Sequence, residues 1–230
     1  MARILLLIGT VATLAVLATP SLAEAGTTIS SCGYDGYSYA GESAVSPESG
    51  ISADITALQQ PKITTGHVAA WVGVGGMGLG PGGSNEWLQA GISAVPDEPT
   101  SIYVEVARPN REPRYHALPL RLAIGRTYQI SVQESPTHPG SWSVWVDGVQ
   151  KTGNIHLPGS HDAWKPIATT ESWDGGSPAC NAFSFKFSNV RTKTGAAPAW
   201  SSMQSSVIDA PDYRVTQRTL AGFTAVGGKV

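Results

Sequence analysis

Two polar residues on separate β-patterned segments have the types that hydrolytic chemistry requires. Gln89 lies in the segment 85–92, and Glu171 lies in the segment 167–173. In both segments apolar residues alternate with other types, so each polar side chain falls on the face opposite the apolar one. A carboxylate can take a proton from water while an amide N–H stabilises an oxyanion. If the fold brings these two side chains over one groove, they can activate water against a carbonyl group.

Period-two alternation recurs along the chain, whereas helical periodicity is hard to find. The clearest alternating runs are 51–57, 68–74, 88–92, 102–106, 128–132, 142–146 and 183–187. Segments rich in glycine and proline, such as 75–83 and 109–119, separate these runs. Many short strands with such breaks predict an all-β fold, namely an antiparallel two-sheet β-sandwich of the jelly-roll or concanavalin-like type. The dipeptide Asp147-Gly148 predicts a tight hairpin turn.

The N-terminal residues have the pattern of a secretory signal peptide. Arg3 precedes an apolar stretch over 4–17. The segment 20–25 then supplies small residues for signal-peptide cleavage after Ala23 or Ala25. We therefore expect a secreted, extracellular protein. No later apolar run approaches the roughly 18 residues of a membrane span, so no membrane partner is expected. The predicted division is a signal peptide over 1–25, a β-sandwich domain over 26–190, and over 191–230 a C-terminal loop and final hairpin on the same domain.

Charge and cysteine content narrow the set of partners. Only 14% of residues are charged and the net charge is −2, so nothing favours nucleic acid as a partner, and a monomer is expected. In an exported protein an isolated cysteine pair forms a disulfide in most cases, which predicts a bond between Cys32 and Cys180. Neither the cysteines nor the five histidines show metal-ligand spacing, so no metal site is predicted.

The residues that alternate with the predicted core form a second face. They are His67, Trp71, Gln89, Tyr103, Glu105, Thr169, Glu171 and Trp173. This face is rich in aromatic, amide and carboxyl groups and poor in lysine, which is typical of a ligand groove. A single Gln or Glu on a strand is nevertheless most often an ordinary solvated residue. The glycine-rich run 75–83 precedes no helix, which indicates a mobile loop beside the groove rather than a phosphate site.

Three motifs in this order resemble the glutamic peptidases of the eqolisin family. They are Ala70-Trp71-Val72-Gly73-Val74-Gly75-Gly76, then Leu88-Gln89-Ala90-Gly91, and then the Tyr-x-Glu pattern of Tyr103 and Glu105. The resemblance extends over about 37–190. It implies a sandwich of two seven-stranded antiparallel sheets, a polypeptide substrate, and chemistry that needs neither a metal nor an organic cofactor.

The resemblance also implies roles for individual residues. Gln89 takes the catalytic Gln position and Glu171 the catalytic Glu position. The Glu then acts as general base toward a water molecule, while the Gln holds that water and stabilises the tetrahedral oxyanion. Trp71 takes the position of a site tryptophan, and Glu105 that of an acidic residue on the neighbouring strand. The predicted substrate-binding residues are Trp71, Tyr103, Glu105 and Trp173.

The chain departs from the family pattern close to this dyad, which keeps other functions open. Gly75 stands where the family has an acidic residue, and the segment 103–107 lacks most of the family's aromatic residues. One alternative is a non-catalytic sandwich that binds carbohydrate or peptide on a Trp71, Trp87, Tyr103 and Trp173 platform. Another is a glycoside hydrolase that uses Glu105 and Glu171, which requires carboxyl groups about 5–9.5 Å apart.

Overall fold

Sixteen β-strands make up almost all of the regular structure in this computed structural model. The structure describes residues 36–173, 180–195, 199–210 and 212–228. Within these ranges the only helical element is the 3-10 turn Pro81–Gly83, and none of them holds a helix long and apolar enough to cross a membrane. The strands form two antiparallel sheets packed as a sandwich, which confirms the predicted fold class.

The seven-stranded sheet carries the segments with candidate chemistry. In order across the sheet, its strands are β14 (Ser205–Asp209), β1 (Tyr37–Ala44), β11 (Ile167–Trp173), β3 (His67–Gly76), β4 (Glu86–Ala94), β5 (Ser101–Ala107) and β6 (Arg114–Arg121). Gln89 therefore lies on β4 and Glu171 on β11, with β3 hydrogen-bonded between them. The sandwich brings two segments that are distant in sequence to within two strands of each other.

The second sheet has nine strands. In order across the sheet, they are β10 (Ile155–His156), β8 (His138–Val146), β7 (Thr127–Ser135), β2 (Gly50–Ala57), β12 (Phe183–Lys193), β16 (Gly222–Gly227) and β15 (Tyr213–Thr219), with β9 (Val149–Gln150) beside β8 and β13 (Ser201–Ser202) beside β12. The predicted hairpin turn joins β8 to β9. Asp147 and Gly148 have φ angles of 49° and 74°, as a two-residue hairpin turn of the mirror-image type requires.

The core lies between the sheets and is built from the apolar member of each alternation. Ile92 and Ile102 of the seven-stranded sheet and Ile51 and Phe185 of the other sheet are fully buried. Burial of each such side chain contributes about 1.5–3 kcal/mol. Because successive residues of a strand point to opposite faces, the residues that alternate with this core lie on the outer faces. The outer face of the seven-stranded sheet therefore carries the polar set predicted from the sequence.

The segment 192–210, which belongs to the predicted C-terminal loop and hairpin region, contains strands in the structure. Strand β12 continues through Lys193, and β13 and β14 follow within the described part of the segment. The sequence of β14, Ser-Ser-Val-Ile-Asp, has little alternation, but its backbone pairs with β1 and forms the edge of the sheet. Strand formation here depends on a distant backbone partner, which a local pattern does not reveal.

The predicted signal peptide over 1–25 and Cys32 lie outside the described residues. Export and the disulfide between Cys32 and Cys180 therefore stay predictions.

Candidate functional site

A pocket of about 270 Å³ lies on the outer face of the seven-stranded sheet. Aromatic side chains contribute much of its wall, and they are Tyr37, Tyr39, Trp71 and Trp87. The polar wall groups are the amide of Gln89, the hydroxyl of Thr169, and the carboxyls of Glu105 and Glu171. Nowhere in the described ranges do three or more His, Cys, Asp or Glu side chains cluster as a metal site requires.

Backbone pairing fixes how the pocket residues lie relative to one another. Three adjacent rows of directly paired residues run across the strands. The first row is Ile167, Gly73, Gln89 and Glu105. The second row is Thr169, Trp71, Gly91 and Tyr103. The third row is Tyr39, Glu171 and Ala69. Residues two apart in a strand point to the same face, so the side chains of all three rows lie on the pocket side of the sheet.

Glycine at two positions in these rows leaves room for the neighbouring side chains. A Cβ atom at Gly91 would lie 2.6 Å from the Cα and 2.7 Å from the Cβ of Trp71. A Cβ atom at Gly73 would lie 2.9 Å from the Cβ of Gln89. Such separations are well inside carbon–carbon contact distance, so any larger residue would displace the side chain opposite. The two glycines therefore allow Trp71 and Gln89 their positions in the pocket wall.

A buried tyrosine holds the Gln89 side chain. Gln89 Nε2 donates a hydrogen bond of 3.1 Å to the Tyr103 hydroxyl oxygen, and both side chains are buried. Burial raises the pKa of Tyr103 well above its ordinary value, and the charges of Glu171 and Glu105 raise it further. The Tyr103 phenol therefore stays neutral. Glu171 thus contributes to the raised pKa of the hydroxyl that binds Gln89.

Glu171 is nearly buried, with 5% of its surface exposed. His67 Nε2 lies 3.4 Å from Glu171 Oε1. Tyr39 is the cross-strand neighbour of Glu171, and burial followed by the Glu171 charge raises the pKa of the Tyr39 hydroxyl above its ordinary range. Glu171 therefore lies between a phenol that stays protonated and the His67 imidazole.

Glu105 is paired with Gln89 across strands β4 and β5, and Trp87 fixes its orientation. The Trp87 indole N–H donates a hydrogen bond of 2.9 Å to Glu105 Oε1. Burial raises the pKa of Glu105, the Trp87 N–H opposes this in part, and the charge of Glu171 raises the pKa again. Two carboxyl groups that line one pocket are thus electrostatically coupled.

Trp71 brings an unused hydrogen-bond donor to the pocket. Its Nε1 atom is buried and has no hydrogen-bond partner among the described residues. Buried N–H groups in folded proteins nearly always have a partner, and an unpaired one costs about 1–3 kcal/mol. Because Trp71 also lines the pocket, its N–H is available to a carbonyl oxygen or a water molecule bound there.

The structure brings four of the six predicted site residues to one pocket wall. They are Gln89, Glu171, Trp71 and Glu105. Tyr103 and Trp173 do not contribute to that wall as the structure describes it. The Tyr103 ring stacks on Tyr115 with centroids 5.2 Å apart, and its hydroxyl accepts the hydrogen bond from Gln89. The Trp173 ring packs against Tyr37 at 4.6 Å, near the end of β11. Tyr103 thus holds Gln89 in the wall without lining the pocket itself.

Several wall residues were not singled out by the sequence analysis. Tyr37 and Tyr39 come from β1, and their Tyr-x-Tyr spacing is a period-two signal that places both rings on one face. Ile208 comes from β14, where no local pattern indicated a strand. Met77 comes from the glycine-rich run 75–83, which the sequence analysis places beside the groove.

Comparison with solved structures relates this fold to that of the eqolisins. Scytalido-glutamic peptidase with a peptide-based transition-state analogue superposes at a TM-score of 0.59, with 12% identity over 86% of this chain and 100% of that chain. SCP-B, a member of the eqolisin family in complex with the tripeptide Ala-Ile-His, superposes at 0.56, with 15% identity over 86% of this chain and 100% of that chain. A carbohydrate-binding module from Bacillus subtilis reaches only 0.37, with 13% identity over 68% of this chain and 81% of that chain.

No family model and no curated protein matches the sequence. At 12–15% identity the structural likeness establishes a shared sandwich architecture, and thus a distant structural relationship to eqolisins. The activity must be argued from the pocket itself.

Proposed function

We propose that this chain is a secreted, acid-acting glutamic endopeptidase that hydrolyses peptide bonds with Glu171 and Gln89. One observation carries the proposal. Gln89 and Glu171 line the same pocket, and a hydrogen bond to the buried Tyr103 hydroxyl holds Gln89 in place there. A carboxylate base and an amide donor in one partly closed pocket are the two groups that attack of water on a carbonyl requires.

In the proposed reaction, Glu171 removes a proton from a water molecule as the water oxygen bonds to the peptide carbonyl carbon. The carbonyl π electrons move to the carbonyl oxygen, which becomes an oxyanion. When the intermediate collapses, the carbon–nitrogen bond breaks and the leaving nitrogen takes the proton from Glu171. The products are a carboxyl group and an amine, and Glu171 is again a carboxylate.

The Gln89 amide has the donors that this reaction requires. One N–H bonds to Tyr103, which fixes the amide plane and leaves the second N–H and the amide oxygen for the water and the oxyanion. The unpaired indole N–H of Trp71 provides a further donor in the same wall. Preorganised donors of this kind typically contribute about 10²–10³-fold in rate each.

Activity at acid pH is consistent with the groups around Glu171. A carboxyl group can act as a base only while it is ionised, and carboxyl groups ordinarily ionise within the acid range. The His67 imidazole lies 3.4 Å from Glu171 Oε1, close enough to pair with the carboxylate. Tyr39 and Tyr103 stay neutral and add no competing negative charge.

A second candidate is binding of peptide or glycan without cleavage. The observation that favours it is the aromatic wall formed by Tyr37, Tyr39, Trp71 and Trp87, since flat rings supply contact area to peptides and sugars alike. This candidate predicts binding that survives the loss of the Glu171 carboxylate.

Digestion of a denatured protein by the purified mature chain tests the proposal. The assay covers about pH 2 to 7, which spans the titration of carboxyl and imidazole groups. Glu171→Gln is compared with Glu98→Gln, which replaces an exposed loop carboxylate. The proposal expects cleavage by the wild type and by Glu98→Gln, and a loss of about 10³-fold or more for Glu171→Gln. Unchanged cleavage by a folded Glu171→Gln would overturn it, and binding without any cleavage would support the second candidate.

A further inference from the structure

As the structure describes it, the wall of the pocket has acidic side chains but no basic ones. Among its described residues, the only carboxyl groups are those of Glu105 and Glu171, and no lysine, arginine or histidine lines the wall. The rest of the wall is aromatic, aliphatic or glycine, apart from Gln89 and Thr169. Because an anionic charge in a low-dielectric space is costly unless a cation faces it, such a wall favours a ligand that brings positive charge.

The two carboxyl groups differ in what compensates them. Glu171 has His67 at 3.4 Å, just outside the wall. Glu105 has a neutral partner, the indole N–H of Trp87, on its Oε1 atom. Its Oε2 atom has no hydrogen-bond donor among the described residues, and the side chain is only partly buried. Among the described residues, Glu105 is therefore the carboxyl group of the wall that has no basic side chain in contact with it.

The surroundings of Glu105 suit a long cationic side chain. Trp87 lies beside it with an indole ring in the wall, and the face of such a ring attracts a cation. Gly75 is paired with Trp87 across strands β3 and β4, and Gly75 and Gly76 bring no side chains to this end of the pocket. Met77 supplies an apolar surface for a methylene stem. This end of the pocket combines an anchor for charge with walls for an aliphatic chain.

The end of the pocket at Glu105 lies next to the proposed dyad. Glu105 is the direct cross-strand partner of Gln89. A peptide whose carbonyl carbon lies at Gln89 and Glu171 would therefore direct a side chain close to the scissile bond toward Glu105.

We propose that the pocket end formed by Glu105, Trp87, Gly75, Gly76 and Met77 is a subsite for a lysine or arginine side chain of the polypeptide substrate. This inference rests on the proposed function, and it adds the substrate class: peptides with a basic residue next to the cleaved bond. The cation bonds to Glu105 Oε2 while its methylene stem packs on Trp87 and Met77.

Matched peptides test the subsite by cleavage. They differ at one position at a time near the scissile bond, where lysine is compared with acetyl-lysine, which keeps the stem and loses the charge. The assay uses the highest pH at which the wild type still cleaves, where the carboxylate form of Glu105 is most populated. At one position we expect lysine to raise kcat/KM by about tenfold or more, which corresponds to about 1.4 kcal/mol. In Glu105→Gln that ratio should fall to near one, whereas Glu98→Gln should keep it.

Binding provides a second measurement that does not depend on cleavage. The dissociation constants of the same peptides are measured with Glu171→Gln and with Glu171→Gln/Glu105→Gln. A lysine preference in the first protein and none in the second supports the subsite even if the wild type cleaves nothing, in which case the proposed function fails alone. Cleavage with equal rates for lysine and acetyl-lysine at every position overturns the subsite and leaves the proposed function standing. A lysine preference that survives Glu105→Gln also overturns it, because the cation would then be bound elsewhere.

Discussion

His67 Nε2 lies 3.4 Å from Glu171 Oε1, which joins the first residue of β3 to the strand that carries the proposed base. The imidazole is about one-third exposed, whereas the Glu171 side chain is 7% exposed. The imidazole lies on the solvent side of the buried carboxyl group and can orient it without lining the pocket. His67 thus acts through Glu171, as a positioning residue of the proposed site.

Replacing His67 with glutamine removes the imidazole that lies 3.4 Å from Glu171 Oε1. We expect kcat/KM to fall about tenfold while the free energy of unfolding changes little, because the carboxyl group loses a neighbour that orients it. His116→Gln, which alters an exposed histidine on β6, is the control and should keep the wild-type kcat/KM. Wild-type kcat/KM in His67→Gln would show that His67 does not position the base.

Removing the Tyr103 hydroxyl frees the Gln89 amide to rotate. For Tyr103→Phe we expect kcat to fall about tenfold with little change in KM, together with a loss of about 1 kcal/mol in the free energy of unfolding. Steady-state kinetics and urea unfolding measure the two effects. Tyr128→Phe is the matched control, because that hydroxyl accepts a hydrogen bond from the Ala123 N–H at 2.8 Å on the other sheet. It should lose similar stability and keep full activity.

A methyl group at position 91 would collide with the backbone and Cβ of Trp71. We expect Gly91→Ala to lower the free energy of unfolding by about 1–3 kcal/mol, and to reduce activity because Trp71 is displaced from the pocket wall. Gly153→Ala provides the comparison, since no atom lies within 4 Å of its added Cβ. Thermal unfolding and the digestion assay distinguish the two variants. Equal behaviour would mean that the strands relax around the added methyl group.

The fold and part of the site follow from local patterns in the sequence. Alternation places Trp71, Gln89 and Glu171 on the outer face, because a period of two fixes which face a side chain takes. It does not fix register or exposure. Tyr103 has the same alternation, yet the structure buries it under Gln89 because its ring stacks on Tyr115.

Local sequence patterns could not predict the edge of the pocket, for a different reason. Ile208 reaches the wall only because β14 pairs with β1, and that pairing joins segments more than 150 residues apart. His67 was part of the predicted polar face, but its contact with Glu171 follows from the register of β3 and β11. Long-range pairing of this kind depends on the whole fold, which one segment cannot encode.

Glu86 provides a test of stability against pH. It is fully buried, its Oε2 accepts a hydrogen bond of 3.1 Å from the Gly159 N–H, and its Oε1 has no partner among the described residues. Burial raises the pKa of Glu86 above its ordinary value of 4.5. A raised pKa in the folded state means that the neutral acid favours folding. This contribution is complete below the unfolded-state pKa and is lost as pH rises through the folded-state value.

Glu86→Gln replaces the acid with a group that cannot ionise. We expect the stability of the variant relative to the wild type to increase from about pH 4 to pH 7, because only the wild type must ionise a buried carboxyl group. Thermal unfolding at several pH values measures this difference. The exposed Glu98→Gln should show no such trend. A difference that is constant with pH would mean that Glu86 is ionised in the folded protein without a penalty.

The most direct test of the central claim is a kinetic cycle over the proposed dyad. The specificity constant kcat/KM for one fluorogenic peptide is measured for the wild type, Gln89→Ala, Glu171→Gln and the double variant, with folding checked for each. If both groups act on one water molecule, each single change should cost about 10²–10³-fold or more, and the double change should cost little more than the worse single one. Wild-type kcat/KM in a folded Glu171→Gln, or costs that multiply in the double variant, would contradict a Glu171–Gln89 dyad.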